Sequence, residues 1–421
     1  MHELHETEQR PQRALLIGAD VGEYDAQQSI EELAELAETA GAEVVGTLVQ
    51  KLPSINNATY IGKGKLQDVK WQCAAEDIDL LIVDDELTGA QLRNIEEETG
   101  VSVVDRTMLI LDIFAGRARS NEGKLQVELA QQRYLLPRLI GLGKQLSRQG
   151  GGIGTRGPGE SKLESDRRHI RRRIESLERE LAAMEQRRAR IRERRSKNSV
   201  LTIAIVGYTN VGKSTLLNLL TDAGVLAKNQ LFATLDPTAR ELKLPDGQTA
   251  VLIDTVGLLR RLPHQLIEAF KSTLEEAASA DLIWNICDAS NEAVMEQLQV
   301  TRELLNELGC GDIPTVTVYN KMDLVQDQSI VAPNETGARN TVFISAKENT
   351  GIPTLLNATA KCLAETVRRV SLLLPYSEGS LLDLIRRQGN VLREEYQNEG
   401  TFIEATIDRK LFSRVEAYIV K

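Results

Sequence analysis

The stretch Gly207-Tyr208-Thr209-Asn210-Val211-Gly212-Lys213-Ser214 decides how this chain is read. It fits the pattern G-x-x-x-x-G-K-[ST]. Ahead of it, Leu201 to Val206 is short, apolar and rich in β-branched residues, which predicts a buried strand. Behind it, Thr215 to Leu220 predicts the start of a helix. Strand, glycine loop and helix together make an anion site. Glycines let backbone N–H groups turn inward, and the helix N-terminus adds partial positive charge. Lys213 is then placed to reach β- and γ-phosphates, and the Ser214 hydroxyl to ligate Mg²⁺.

Further patterns follow in order. Phe232-Ala233-Thr234-Leu235-Asp236-Pro237 is a polar-tipped loop after the first helix. Asp254-Thr255-Val256-Gly257 follows an expected strand from Ala250 to Ile253. An Asp at a strand end is placed to hold Mg²⁺ through water, and the glycine N–H to sense a γ-phosphate. Asn320-Lys321-Met322-Asp323 follows the strand Thr315 to Val318, and Ser345-Ala346-Lys347 follows Val342 to Ile344. The Asp323 carboxylate can accept two hydrogen bonds from a guanine edge. Adenine leaves it unpaired, and sites built on such pairing reject the wrong partner by roughly 10⁴. The last motif can offer a backbone N–H to guanine O6.

This order of motifs resembles the translation-factor class of GTPases. The resemblance implies nucleotide contacts along all the motif residues just quoted, from Gly207 to Lys347. It implies Lys213, Thr234 and Gly257 as catalytic residues, and Ser214, Thr234 and, through water, Asp254 as Mg²⁺ ligands. One position departs from it. Leu258 stands where Ras-like enzymes keep a water-orienting glutamine. Slow intrinsic hydrolysis stimulated by a partner is therefore expected. Asn210 is a candidate K⁺ ligand, since some related GTPases use K⁺ where others use an arginine finger.

Upstream, short apolar strands alternate with helices. The strands are expected at Ala14–Ala19, Val44–Val49, Asp79–Val83 and Val101–Val104. The helices are expected near Gln27–Ala40, Leu66–Glu76, Ala90–Glu98 and Met108–Ala115. That alternation predicts a parallel sheet covered on both faces. The Gly62–Gly64 turn lacks the rest of a dinucleotide fingerprint and reads as a plain turn.

From 118 to 200 the period changes. Leu125, Leu129, Gln132, Leu136, Leu139, Gly143 and Leu146 fall at spacings of four and three, as do Ile170, Ile174, Leu177, Leu181, Met184, Arg188 and Ile191. Two such seams bury each other most simply as an antiparallel hairpin, with Pro137 kinking the first helix and the second running from Leu163 to Ser196. The connecting tip, residues 148–160, holds six glycines in ten residues. Arg148, Gly150, Gly151, Gly152 and Arg156 suit close approach to a phosphate backbone. From Ser161 to Val200 there are 14 Lys or Arg against 7 acids, a net of +7 in a chain of net −10. Arg167, Arg168, Arg171, Arg172 and Arg173 put like charges at i,i+4, which is costly unless an anion neutralises them. RNA phosphate is the natural candidate.

Together these pieces resemble the HflX family of ribosome-associated GTPases. The resemblance is carried by Tyr60-Ile61-Gly62 to Lys65, Gly123-Lys124-Leu125-Gln126-Val127-Glu128-Leu129-Ala130, Gly150 to Glu160 and Phe232 to Pro237, and it covers about 13–370. It implies docking on the large ribosomal subunit and its rRNA, with a role in rescuing or splitting stalled ribosomes or in subunit biogenesis. A signalling switch whose coiled coil binds a protein or membrane surface is the alternative class. A GTP-dependent RNA-modification partner is a third, without a cofactor motif to support it.

The expected architecture is α/β and multidomain. It comprises a tail (1–12), an N-terminal parallel α/β domain (13–117), the hairpin (118–200), a P-loop GTPase domain (201–370) and a small C-terminal α/β appendage (371–421). In the appendage, Val370–Leu374 and Gly400–Ile407 read as strands and Ser380–Arg387 as a helix. Four isolated cysteines argue against a disulfide framework or zinc site and fit a reducing cytosol. No apolar run approaches the ~20 residues of a spanning helix, and the N-terminus is unlike a signal peptide. A cytoplasmic monomer that takes GTP and GDP is expected.

Overall fold

The structure is a computed structural model that describes residues 10–139, 158–197, 201–221, 238–255, 257–259, 261, 277–325 and 340–420. Of these, 10–139 and 158–182 fall in one compact unit and the rest in a second.

The first unit opens with β1 (Arg13–Asp20), α1 (Ala26–Thr39), β2 (Glu43–Lys51), α2 (Lys63–Ala75), β3 (Leu80–Val83), α3 (Gly89–Thr99), β4 (Ser102–Asp105) and α4 (Arg106–Arg117). The strands pair in the order β2-β1-β3-β4, all parallel. β1 is buried from Ala14 to Ala19 and β3 throughout, as expected of strands covered on both faces. Leu15, Ile17, Leu66, Val69, Leu81 and Val83 form the core.

Next come α5 (Asn121–Arg138) and α6 (Pro158–Lys197). Along α6, the expected seam positions from Ile170 to Arg188 are all at least partly shielded and Leu177 is fully buried. Arg173 pairs with Glu128, and Arg133 with Glu178, across the two helices. Pro137 lies inside α5, one residue before its end. One expectation is extended. α5 is also buried on a second stripe, Val127, Ala130 and Tyr134, beyond its heptad seam. That stripe has helical spacing of three and four, and α5 packs on α4 as well. Gly143 and Leu146 lie outside the described residues.

The second unit holds β5 (Leu201–Gly207), α7 (Lys213–Thr221), β6 (Thr238–Lys243), β7 (Thr249–Asp254), β8 (Leu282–Asp288), α8 (Val294–Glu307), β9 (Thr315–Asn320), β10 (Thr341–Phe343) and α9 (Ile352–Thr366). Their sheet runs β10-β9-β8-β5-β7-β6, parallel except for β6 against β7. β5 is central, so the loop that leaves it opens at the middle of the carboxyl edge, where α/β sheets bind ligands. Buried Trp284 ties α9 to the sheet, its Nε1 donating to Thr359 Oγ1 at 3.0 Å.

A separate antiparallel sheet, β11-β13-β12, follows from β11 (Val367–Leu374), β12 (Asn390–Gln397) and β13 (Gly400–Asp408), covered by α10 (Gly379–Gln388) and α11 (Arg409–Val415). Among the described residues no helix is long and apolar enough to cross a membrane.

Candidate functional site

The loop after β5 is built as the sequence predicts, with the helix starting two residues earlier, at Lys213. Gly212 has φ +95°, and a Cβ there would stand 2.3 Å from Asn320 Nδ2, so a side chain is excluded twice over. Asn210 also takes a left-handed backbone, φ +59°, which Asn tolerates better than most residues, and its side chain is exposed. Lys213 is buried and turns back on its own loop. Its Nζ donates to the Gly207 and Tyr208 carbonyl oxygens at 3.0 and 2.6 Å. Burial pushes its pKa down to about 8, against the opposing pull of the Asp254 carboxylate.

β7 delivers Asp254, fully buried, to the same edge. Ser214 Oγ donates to Asp254 Oδ2 at 3.3 Å. A hydroxyl and a carboxylate side by side are the hard oxygen donors that Mg²⁺ takes. Thr255 Oγ1 donates to the Ile205 carbonyl at 2.7 Å, which anchors the turn to β5. Gly257 follows, and a Cβ on it would lie 2.9 Å from Thr209 Cγ2 and 3.1 Å from Lys213 Nζ.

β9 and β10 bring the remaining motifs to the same edge. Asn320 Nδ2 donates to the Val211 carbonyl at 2.8 Å, and its Oδ1 accepts from the Ala346 N–H at 2.9 Å. One buried amide thus joins the glycine loop to the Ser345-Ala346-Lys347 segment, and the Ala346 N–H is engaged in holding it. Ser345 Oγ donates to Asp323 Oδ1 at 2.6 Å, and this bond, foremost, holds the Asp323 carboxyl below the usual carboxylate range. Lys321 stands at φ +63° with its Nζ 2.6 Å from Asp288 Oδ2. The sequence reading did not include Asp288. The apolar run Leu282–Cys287, which makes β8 a buried strand, was the signal for it. Met322 and Lys347 fall within the same loops.

Phe232, Ala233, Thr234, Leu235, Asp236 and Val256 lie outside the described residues, as do Arg148, Gly150, Gly151, Gly152 and Arg156. On α6 the arginines divide. Arg173 makes a two-pronged contact with Glu128, Nε and Nη2 each 2.6 Å from a carboxylate oxygen. Arg167 lies 3.8 Å from Glu164, and Arg168 Nε donates to the Glu164 carbonyl. Arg171 and Arg172 are exposed and make no ion pair or hydrogen bond among the described residues. The like-charge run is therefore relieved in part by acids of the hairpin, and Arg173 is a hairpin tie.

A central parallel strand, a glycine loop with a buried lysine, an Asp–Ser pair and an Asn-Lys-x-Asp loop on one sheet edge define the P-loop GTPases. Three family models match in chain order. They are a GTP-binding GTPase N-terminal region (residues 27–115), a GTP-binding GTPase middle region (117–195) and a 50S ribosome-binding GTPase (202–321). The GTPase HflX of Caldanaerobacter subterraneus subsp. tengcongensis is 49% identical over 97% of this chain and 94% of its own length. That of Escherichia coli K12 is 40% identical over 89% and 88%. The chain belongs to the GTPase HflX family, and it binds and hydrolyses GTP. Among solved structures, a GTP-binding protein from the archaeon Sulfolobus solfataricus in complex with GDP is 28% identical, with a TM-score of 0.45, over 84% of this chain and 99% of that one.

Proposed function

We propose that this chain is a GTP-driven switch of the large ribosomal subunit, acting as a cytoplasmic monomer in rescue or splitting of stalled ribosomes or in subunit biogenesis. The observation that carries it is that one chain holds both a GTPase edge and a basic helix, α6, whose exposed Arg171 and Arg172 have no ion-pair or hydrogen-bond partner among the described residues. The model matching 202–321 is that of a 50S ribosome-binding GTPase, which supports the same reading. Phosphate neutralisation is what such a helix offers. A protein- or membrane-binding coiled coil is less well supported, because the seam around Leu177 is already used within the chain.

In this reading the loop Gly207–Ser214 cradles the phosphates, with Lys213 leaving its loop carbonyls for the β- and γ-oxygens. Ser214, Thr234 and, through water, Asp254 hold Mg²⁺. When bound, the ion neutralises charge on the β- and γ-phosphates. Asp323 reads guanine, and Gly257 senses the γ-phosphate. Asn210 is the candidate ligand for K⁺, and equal turnover in K⁺ and Na⁺ at matched ionic strength would remove it. With Leu258 in the core, intrinsic turnover is slow and the ribosome supplies stimulation.

Sedimentation of the protein with isolated subunits, with a non-hydrolysable GTP analogue against GDP, tests the reading. Co-migration with the large subunit in the GTP state is expected. Equal absence from both subunits in both states would overturn it. Asp323→Asn is expected to shift preference from GTP towards xanthosine triphosphate, measured by fluorescence competition. An unchanged GTP preference would remove Asp323 from the guanine site.

A further inference from the structure

The residue after Gly257 takes no part in orienting water, and the structure gives the reason. Leu258 is 2% exposed and packs with Ala204, Val206, Ile283 and Leu305. Its backbone is stitched to the glycine loop. The Leu258 N–H donates to the Gly207 carbonyl at 3.0 Å, and its carbonyl accepts from the Thr209 N–H at 2.8 Å. To swing any side chain from position 258 toward the phosphates, both bonds and a core contact must break. A polar group for the attacking water must therefore come from elsewhere.

The geometry supplies one. The Thr209 side chain, the Lys213 ammonium and the Gly257 backbone converge within about 3 Å of one point, the place a Gly257 Cβ would occupy. Lysines of such loops reach the β- and γ-phosphates, and the glycine amide senses the γ-phosphate. Thr209, packed against the Gly257 backbone, therefore stands beside the γ-phosphoryl group. The residue is 6% exposed, and among the described residues its hydroxyl makes no hydrogen bond and stays open to solvent. Its methyl packs on Gly257, and branching at Cβ makes χ1 stiff, so the hydroxyl position is fixed. A solvent-open hydroxyl that the loop itself does not use is free to bond a ligand, as donor and as acceptor.

We propose that Thr209 is a catalytic residue of GTP hydrolysis in this chain. Its hydroxyl accepts a hydrogen bond from the attacking water and donates its own to a γ-phosphoryl oxygen, lining the water up with the bond to be broken. The water oxygen forms a bond to Pγ as the bond from Pγ to the β–γ bridging oxygen breaks. That electron pair leaves with GDP, and the water proton passes to a γ-phosphoryl oxygen. The threonine is unchanged, so no further reactant is needed. The inference rests on GTPase activity alone and is independent of any ribosome role.

Three variants test it: Thr209→Val, of the same shape without the hydroxyl, Thr209→Ser, which keeps the hydroxyl, and Thr209→Ala. Single-turnover phosphate release at saturating GTP gives the chemical step, and a fluorescent GTP analogue gives affinity. Thr209→Val is expected to slow release by at least ~10-fold, in line with loss of one polar group at a transition state, with affinity within ~2-fold of wild type. Thr209→Ser is expected to stay within ~3-fold of the wild-type rate. Wild-type turnover in Thr209→Val would overturn the proposal, as would a Ser variant as slow as the Val variant, or a loss confined to affinity. Should Thr209→Val fail to bind GDP, Thr209→Ala is judged by the same criteria.

Discussion

A parallel sheet and a largely parallel one stand in this chain, and each opens with a strand–turn–helix unit, β1–α1 and β5–α7. In the first, the turn is acidic, and Asp25 Oδ1 accepts from the Gln27 and Gln28 N–H groups at 3.0 and 3.1 Å. The helix N-terminus is thus filled by the protein's own anion. In the second, the residue before the helix is Gly212, which has no side chain to offer, and a lysine follows. Thr88, Asp105 and Ser120 close α3, α4 and α5 in the same way as Asp25. α2 alone of these starts without a side-chain cap, but the Gly62 N–H donates to Gln50 Oε1 at 2.9 Å, consistent with a plain turn.

The rest of the first sheet's carboxyl edge is also closed from within. Tyr60 donates its hydroxyl proton to Asp85 and accepts from the Ala19 N–H, while Arg106 is held by Asp84 and Glu32. A parallel sheet offers the same kind of place each time it occurs, and the residues of the strand–helix turns decide whether an outside phosphate can use it.

Four substitutions press on that contrast. The largest effect is expected from Lys213→Ala, which removes the cation of the second turn. Phosphate release should fall by more than about 10³-fold while the fold persists, and wild-type turnover would break the contrast. Arg106→Ala, in the first sheet, leaves buried Asp84 uncompensated and should cost about 3–5 kcal/mol of stability. Denaturant unfolding reads it, and GTP turnover of the still-folded protein should be unchanged. Gly212→Ala should cost about 1–3 kcal/mol through its left-handed backbone and the Asn320 clash. It should weaken nucleotide affinity along with thermal stability, since the loop and Asn320 move together. Smallest is Asp25→Ala, which uncaps α1 for about 1 kcal/mol and leaves hydrolysis at the wild-type rate. If it impaired hydrolysis, the first sheet would have a part in the nucleotide site after all.

The basic helix sharpens the same point by charge. Replacing Arg171 and Arg172 with Gln should flatten the salt dependence of subunit binding by up to about 2 units. Arg173→Gln should leave that slope in place and loosen the hairpin, because its guanidinium is spent on Glu128. A slope lowered equally by all three would return Arg173 to the RNA-facing set.

Much of this was legible in the chain itself. Ala14–Ala19 became Arg13–Asp20, and Val101–Val104 became Ser102–Asp105, because a short apolar run between turn residues is a local signal. The glycine loop, Asp254, Asp323 and the basic helix are likewise readable in windows of a few residues or by counting. β6 and β12 were not, since Thr-Ala-Arg-Glu-Leu-Lys and Asn-Val-Leu-Arg-Glu-Glu-Tyr-Gln are charged strands at sheet edges, without an apolar run. What only the tertiary structure decided depends on residues far apart in sequence. Arg173 meets Glu128 across 45 positions, Asn320 meets Val211 across 109, and Leu258 is taken into a core that includes Leu305. Such pairings follow from how elements pack, and no local pattern encodes them. The sequence could therefore say that Leu258 is the wrong residue to orient water, and only the fold could say that Thr209 stands beside the place where water is needed.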